Sequence, residues 1–185
     1  MSKLIELLRY FFKSGKLTLD PISDYTVIDV ETTGLDPKKD ELIEVAAIKV
    51  RNDEIVETYS SLIKPRTTIP PKITAITGIT NEMVKKAPKR RAVIKELYDF
   101  IGDDIIMGHN VTFDIAFINN KNLTKHLNND YFDTLEYTRA KLPKLYSYKL
   151  TSLKKYFNIK IDKKEHRALA DAIVTYKVHQ RAKDR

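Results

Sequence analysis

The chain contains no cysteine. A disulfide framework and a thiolate-bound metal are therefore excluded. Histidine is scarce: His109, His126, His166 and His179 are the only four, and they lack the spacing of a zinc finger. Long hydrophobic runs are missing too. The most apolar opening segment, residues 2–17, is interrupted by Lys3, Glu6, Arg9 and Lys13. It is too short and too charged to span a bilayer. No small-residue cleavage site follows it, so a signal peptide is not expected. Internal repeats and low-complexity tracts are absent. What remains is the composition of a soluble globular protein with an expected cytoplasmic location: 42% hydrophobic and 31% charged over 185 residues, enough for one domain with a substantial core. Lys plus Arg number 33 against 25 for Asp plus Glu, a net charge of +8. That excess suits nucleic acid or an acidic membrane surface, although solubility alone would account for it.

Leu4, Leu7, Leu8, Phe11 and Phe12 recur at helical spacing. They predict an amphipathic helix ending near Gly15, packed on its own domain or presented to a partner protein or membrane surface. Asp20-Pro21 marks a break, which divides the chain into an N-terminal helix and linker over 1–20 and a domain over 21–185. Strands are predicted at 25–30, 41–50 and 55–63, joined by short links that favour an antiparallel meander. Pro65, Pro70 and Pro71 define an extended loop, and Gly78 marks a turn or a close backbone approach in the short segment 73–79. A helix runs from Pro88 to about Ile101. Its Lys89-Arg90-Arg91 cluster reads as a solvated face or as a nucleic-acid contact. A short strand at 104–107 precedes helices at 112–120, 133–142, 149–157 and 166–181, with Asp133 and Ser147 as N-caps. The alternation of strand and helix predicts a mixed α/β sheet.

Four acids stand out. Asp29 and Glu31 lie two residues apart at the end of the apolar strand Y-T-V-I-D-V, so both carboxylates face one way. Aligned like charges raise each other's pKa unless a cation sits between them. A divalent ion is one solution; two solvated acids at a strand end are the other. Asp114, in G-H-N-V-T-F-D-I-A-F, occupies the first turn of a helix, where an acid can serve the helix dipole. Asp171 shares a helix side with Val174 and Val178, a costly place for an unpaired charge. His166 lies five residues earlier.

Taken in order, D-V-E-T-T-G-L, H-N-V-T-F-D and H-R-A-L-A-D resemble the three motifs of the DEDD 3′–5′ exonucleases. The final H-x-A-x-x-D is that of the histidine subclass (DEDDh). D-V-E-T-T-G-L together with I-T-G-I-T-N-E-M resembles most the exonuclease domain of bacterial DNA polymerase III, the ε-type proofreading branch. The resemblance spans about Tyr25 to Arg181. It implies a ribonuclease-H-like fold: a five-stranded mixed sheet, three antiparallel strands then two parallel, flanked by helices. It implies that Asp29, Glu31, Asp114 and Asp171 bind two divalent metal ions, Mg²⁺ or Mn²⁺, and that His166 is the general base. Thr32, Thr33, Leu35, Thr77, Gly78 and Asn110 fall where the family meets the terminal nucleotide, Leu35 as an apolar side chain against the last base. Some proofreading members carry histidine at the place of Thr77. The implied activity is release of nucleoside 5′-monophosphates from single-stranded or frayed DNA 3′ ends, in proofreading or repair. A 3′–5′ exoribonuclease of the same family is the alternative. A non-catalytic nucleic-acid-binding module has no use for so many acids in apolar settings. The chain ends soon after the last motif, without the C-terminal tail by which such subunits dock. A free-standing nuclease is therefore expected as readily as a subunit that meets a DNA polymerase, or another protein, through the N-terminal helix.

Overall fold

A computed structural model describes residues 15–120, 126–161 and 167–185. Its centre is a mixed sheet of six strands. In chain order these are β1 (Leu17–Thr18), β2 (Tyr25–Thr32), β3 (Leu42–Arg51), β4 (Glu54–Leu62), β5 (Ile106–Gly108) and β6 (Tyr131–Asp133). Their spatial order is β1-β6-β5-β2-β3-β4. The β2–β3 and β3–β4 pairs are antiparallel, joined by the predicted short links. The β2–β5, β5–β6 and β1–β6 pairs are parallel. The helices are α1 (Pro71–Thr77), α2 (Asn81–Val84), α3 (Arg90–Ile101), α4 (Val111–Asn119), α5 (Thr134–Lys141), α6 (Leu150–Tyr156) and α7 (Ala168–Lys183).

Strand β2 shows how the core positions the acids. Successive side chains alternate between faces. Ile28 and Val30 pack with Val93, Leu97 and Ile101 of α3 and with Val111 and Phe117 of α4. Tyr25 and Val27 pack on the opposite face with Tyr137 of α5 and Ala172 and Ala182 of α7. The sheet is thus sandwiched between helical layers. Asp29 and Glu31 continue the Tyr25–Val27 face, which points them toward α7.

The expected ribonuclease-H-like sheet is present, with six strands rather than five. The additional strand is β1. Residues Leu17 and Thr18, expected in the linker after the N-terminal helix, pair instead with Tyr131 and Phe132. Lys16 N–H donates to an Asp130 carboxylate at 2.7 Å, and Tyr131 N–H donates to the Lys16 carbonyl at 2.9 Å. The rest of the predicted N-terminal helix lies outside the described residues. Pro71 opens a helix rather than extending the loop, since proline's missing N–H costs nothing at a first helical position. Gly78 ends that helix at φ 71°, a left-handed conformation that glycine adopts freely. Asp133 does cap α5, accepting from Leu135 N–H. Ser147 does not cap α6: the cap position is Lys149, and the Ser147 hydroxyl lies 3.0 Å from that of Ser152. Arg90 is neither a solvated charge nor open to a ligand. Its guanidinium caps the last turn of α4 through the carbonyls of Phe117, Ile118 and Asn120 at 2.8–2.9 Å.

Candidate active site

Carboxylate oxygens of Asp29, Glu31 and Asp171 lie within 4.8 Å of one another, each residue half-buried. Two come from the C-terminal end of β2, where parallel and antiparallel pairing meet, and the third from the first turn of α7. Ligand sites in open α/β sheets favour such carboxyl ends.

Asp114 reaches the same end of β2 from the other helical layer. It is 5% exposed, and its Oδ1 accepts Val30 N–H at 3.0 Å. This bond, from the residue between Asp29 and Glu31, ties α4 to the acid-bearing strand. Asp114 is not one of the three carboxylates within 4.8 Å, but its charge acts on Asp29.

The electrostatics result from crowding. Burial, then the charges of Asp114, Asp171, Glu31 and Glu44, push Asp29 well above the usual carboxylate range. Glu31 is pushed up to about 8, by burial first and then by Asp171 and Glu44, with Arg167 pulling it back. Burial raises Asp114 strongly, against the hydrogen bond from Val30. Clustered oxygen donors that repel one another and hold protons are the donor set a hard divalent cation relieves. The residues present therefore fit a divalent cation.

The loop after β2 is self-bonded. Thr32 Oγ1 donates to the Gly34 carbonyl at 2.5 Å. Thr33 Oγ1 accepts Glu41 N–H at 3.0 Å, and Thr33 N–H donates to the Glu41 carbonyl. Asp40 accepts Asp36 N–H, and a Cβ on Gly34 would fall 2.4 Å from that carboxylate. Both threonine hydroxyls thus hold the loop in shape. Leu35, by contrast, is 83% exposed. Thr77 is buried, its hydroxyl donating to the Ile73 carbonyl and accepting Ile79 N–H. Asn110 sits at φ 65° ahead of α4 with its side chain exposed. His166 lies outside the described residues.

Two buried acids that hold the elements of the site escaped the sequence reading in whole or part. Asp133, expected only as a cap of α5, also accepts the N–H groups of Asn110 and Val111, so it holds the start of the helix that carries Asp114. Glu44 is 3% exposed and accepts from Arg167 and Ala168 at the start of α7. An acid inside the apolar run L-I-E-V-A-A-I was the signal.

The family model described as Exonuclease (RNase_T) matches residues 26–179. The chain belongs to this exonuclease family. It is 39% identical over 167 residues to the PolC-type DNA polymerase III of Latilactobacillus sakei and 38% identical over 155 residues to that of Bacillus subtilis, with 86% and 82% of this chain covered. The chain spans only 12% and 11% of the length of those relatives. Among solved structures it is similar to exonuclease X in complex with 5′-overhanging duplex DNA, with a TM-score of 0.73 and 26% identity over 86% of this chain and 91% of that one. Escherichia coli exonuclease I in complex with a dT13 oligonucleotide shares the fold, at a TM-score of 0.76 and 24% identity over 89% of this chain and 42% of that one. The resemblance to the DNA polymerase III branch is borne out. Among the described residues, no helix is long and apolar enough to cross a membrane.

Proposed function

We propose that this member of the exonuclease family is a metal-dependent 3′–5′ exonuclease that releases nucleoside 5′-monophosphates from DNA 3′ ends. The observation that carries the reading is the convergence of Asp29, Glu31 and Asp171 within 4.8 Å at the end of β2. With Asp114, they would hold two divalent ions, Mg²⁺ or Mn²⁺. Such ions, when bound, supply an activated water and neutralise the charge that builds on the phosphate and the departing oxygen.

The chain's own residues have separate tasks. Asp114 holds β2 and α4 in fixed relation. His166 takes the proton of the attacking water, as its unperturbed pKa near 6.5 suits. Leu35 packs against the terminal base, a contact tolerant of sequence because every base has a π-face. The backbone of Thr32, Thr33, Thr77 and Gly78 borders that nucleotide, since the threonine hydroxyls are committed within their loops. The Asn110 side chain is open to the strand. Residues 21–185 form the exonuclease domain, and 1–20 are its N-terminal extension, with Leu17 and Thr18 on the sheet. The PolC-type relatives make a DNA polymerase the natural partner and a cytoplasmic replication or repair setting the natural location.

The test is a labelled-strand digestion. Single strands of DNA and RNA labelled at either end are incubated with Mg²⁺, Mn²⁺ or chelator. The 5′-labelled DNA is expected to shorten stepwise from its 3′ end with either metal and to survive chelator. Preferential loss of RNA would give an exoribonuclease. No shortening of either strand would overturn the reading.

A further inference from the structure

A cation stands beside the acid cluster. Arg167 is the residue immediately before α7, and its guanidinium lies against Glu44 of β3: Nε is 2.9 Å from Oε2 and 3.2 Å from Oε1, and Nη2 is 2.5 Å from Oε1. Ala168 N–H, the first of the helix, donates to the same Oε2 at 3.0 Å. One buried carboxylate thus holds both a guanidinium fork and an otherwise unpaired helix N–H. Asp171 N–H bonds to the Arg167 carbonyl at 3.0 Å, so the anchored residue and the acid are one helical turn apart. Glu44 itself lies directly opposite Glu31 in the antiparallel register. Side chains so placed have Cβ atoms about 5 Å apart. The Arg167 charge accordingly acts on Glu31 as well.

We propose that Glu44 is a positioning residue with two effects: it pins the first turn of α7, which sets where Asp171 meets Asp29 and Glu31, and it keeps the Arg167 guanidinium from turning onto those carboxylates. The inference rests on the reading of the acid cluster as a cation site. A guanidinium presents five donors in a fork that matches carboxylates. Released from Glu44, its next anionic neighbour is Glu31, across the strand pair. There it would compete with a divalent ion for the same oxygens. Arg167 is safe beside the cluster only while Glu44 holds it, and the buried Glu44 charge is tolerable only while Arg167 pairs it.

The experiment uses the full chain as wild type, E44Q, R167Q and the double variant E44Q/R167Q, plus D29N. Mn²⁺ binding is measured by titration calorimetry, and melting temperature and hydrolysis of labelled single-stranded DNA are recorded beside it. E44Q is expected to weaken Mn²⁺ binding about 10- to 100-fold, the range seen when groups supporting metal ligands are lost. Removing the guanidinium as well restores most of that affinity, so E44Q/R167Q binds Mn²⁺ more tightly than E44Q. A purely structural anchor is told apart by the melting temperatures: there Mn²⁺ affinity follows stability across the variants, whereas here E44Q/R167Q regains more affinity over E44Q than its melting temperature accounts for. E44Q binding like wild type, or the double variant binding no better than E44Q, overturns the proposal while leaving the cation site standing. If wild type and D29N both fail to bind Mn²⁺, the cation site falls and the proposal with it. Should E44Q be too unstable to titrate, R167K serves. Lysine keeps the charge without the fork, and is expected to bind Mn²⁺ more weakly than R167Q; equal affinities overturn the proposal.

Discussion

Glu31 and Glu44 face each other across the β2–β3 pair, two carboxylates in one cross-strand position. Directly opposed like charges destabilise a sheet. Arg167 answers one of them, and the other is left with Asp29 and Asp171. The expected consequence is a stability that depends on pH and, with a cation bound, on metal. Glu31 rises from an ordinary 4.5 to about 8 in the folded chain. Between those values the metal-free folded form binds more protons than the unfolded form. This contribution to stability is full below about 4.5 and is lost as pH rises through about 8. A cation bound only by the folded chain offsets the repulsion. At 100-fold excess over its dissociation constant it adds about 2.7 kcal/mol. For a chain of this size that raises Tm by about 5–10 °C. Calorimetric scans at pH 6 and 8, with Mn²⁺ or chelator, are expected to show the larger metal effect at pH 8. Glu31→Gln reduces the pH dependence without metal, and the raised Asp29 and Asp114 keep the remainder. A Tm indifferent to Mn²⁺ at pH 8 contradicts the cation site.

His179 gives the opposite slope. It is 1% exposed, its Nδ1 3.1 Å from the Tyr25 hydroxyl and its ring edge-on to Tyr25 and Phe132. Burial first, then the Lys183 charge, lowers it from 6.5 to about 4. The unfolded chain gains a proton below 6.5 that the folded chain refuses until about 4, so stability is lost as pH falls through that window. The loss amounts to about 3 kcal/mol at most. Urea unfolding of wild type and His179→Gln at pH 7 and 4.5 isolates it, since the carboxylate contributions are common to both. The stability gap between the two is expected to narrow by about 2 kcal/mol at the lower pH. An unchanged gap would mean that His179 titrates normally.

Leu35 is the reverse case, a large apolar side chain with nothing to hold in the free protein. It is 83% exposed on a loop whose hydrogen bonds come from Thr32, Thr33 and Asp40. Leu35→Ala is therefore expected to change stability by less than about 0.5 kcal/mol. If it packs on the terminal base, its loss weakens kcat/KM on single-stranded DNA by roughly tenfold, the low end of what a base contact contributes. Parallel melting and steady-state digestion separate the two effects. An unchanged kcat/KM removes Leu35 from the substrate path.

His166→Ala is expected to keep Mn²⁺ and oligonucleotide binding and to lose turnover by about 10²- to 10⁴-fold, the span of general-base contributions. Fluorescence anisotropy on a labelled strand in chelator, beside single-turnover hydrolysis in Mg²⁺, reads the two properties. Equal single-turnover rates would show that another group takes the proton.

How far the sequence carried depends on the range of the interaction. Asp29 and Glu31 were legible because strand alternation alone puts them on one face. Asp171 was legible because a charge on an apolar helix side needs a partner. The β2–β3–β4 meander was legible from its short links. By contrast, β1 and β6 are two and three residues long and carry no periodicity. Leu17 and Thr18 were therefore left to the linker after the N-terminal helix. The Glu44–Arg167 pair spans 123 residues, and the role of Glu44 appears only once the register sets it opposite Glu31. The local hydrogen bonds of the threonine hydroxyls were not legible, because motif position says nothing of turns that consume a donor. Arg90 looked like a surface charge because nothing local reveals a helix end packed above it.

Asp133 tests whether the acids depend on a support outside their own motifs. Its Oδ1 accepts Asn110 and Leu135 N–H at 3.0 and 2.9 Å, and its Oδ2 accepts Val111 N–H at 3.1 Å. Three backbone donors at the starts of two helices converge on one buried carboxylate. Asn110, at φ 65°, is held in a conformation that residues other than glycine, asparagine and aspartate adopt reluctantly. Asp133→Ala leaves those donors buried and unpaired, at a cost of about 2–4 kcal/mol. Asp133→Asn keeps one acceptor oxygen and is expected to recover part of it. The loosened start of α4 displaces Asp114, so Mn²⁺ affinity is expected to fall in proportion to the lost stability across the two variants. Chemical unfolding paired with Mn²⁺ titration checks the correlation. A destabilised Asp133→Ala with wild-type Mn²⁺ affinity would show that the acid cluster is held by β2 and α7 alone.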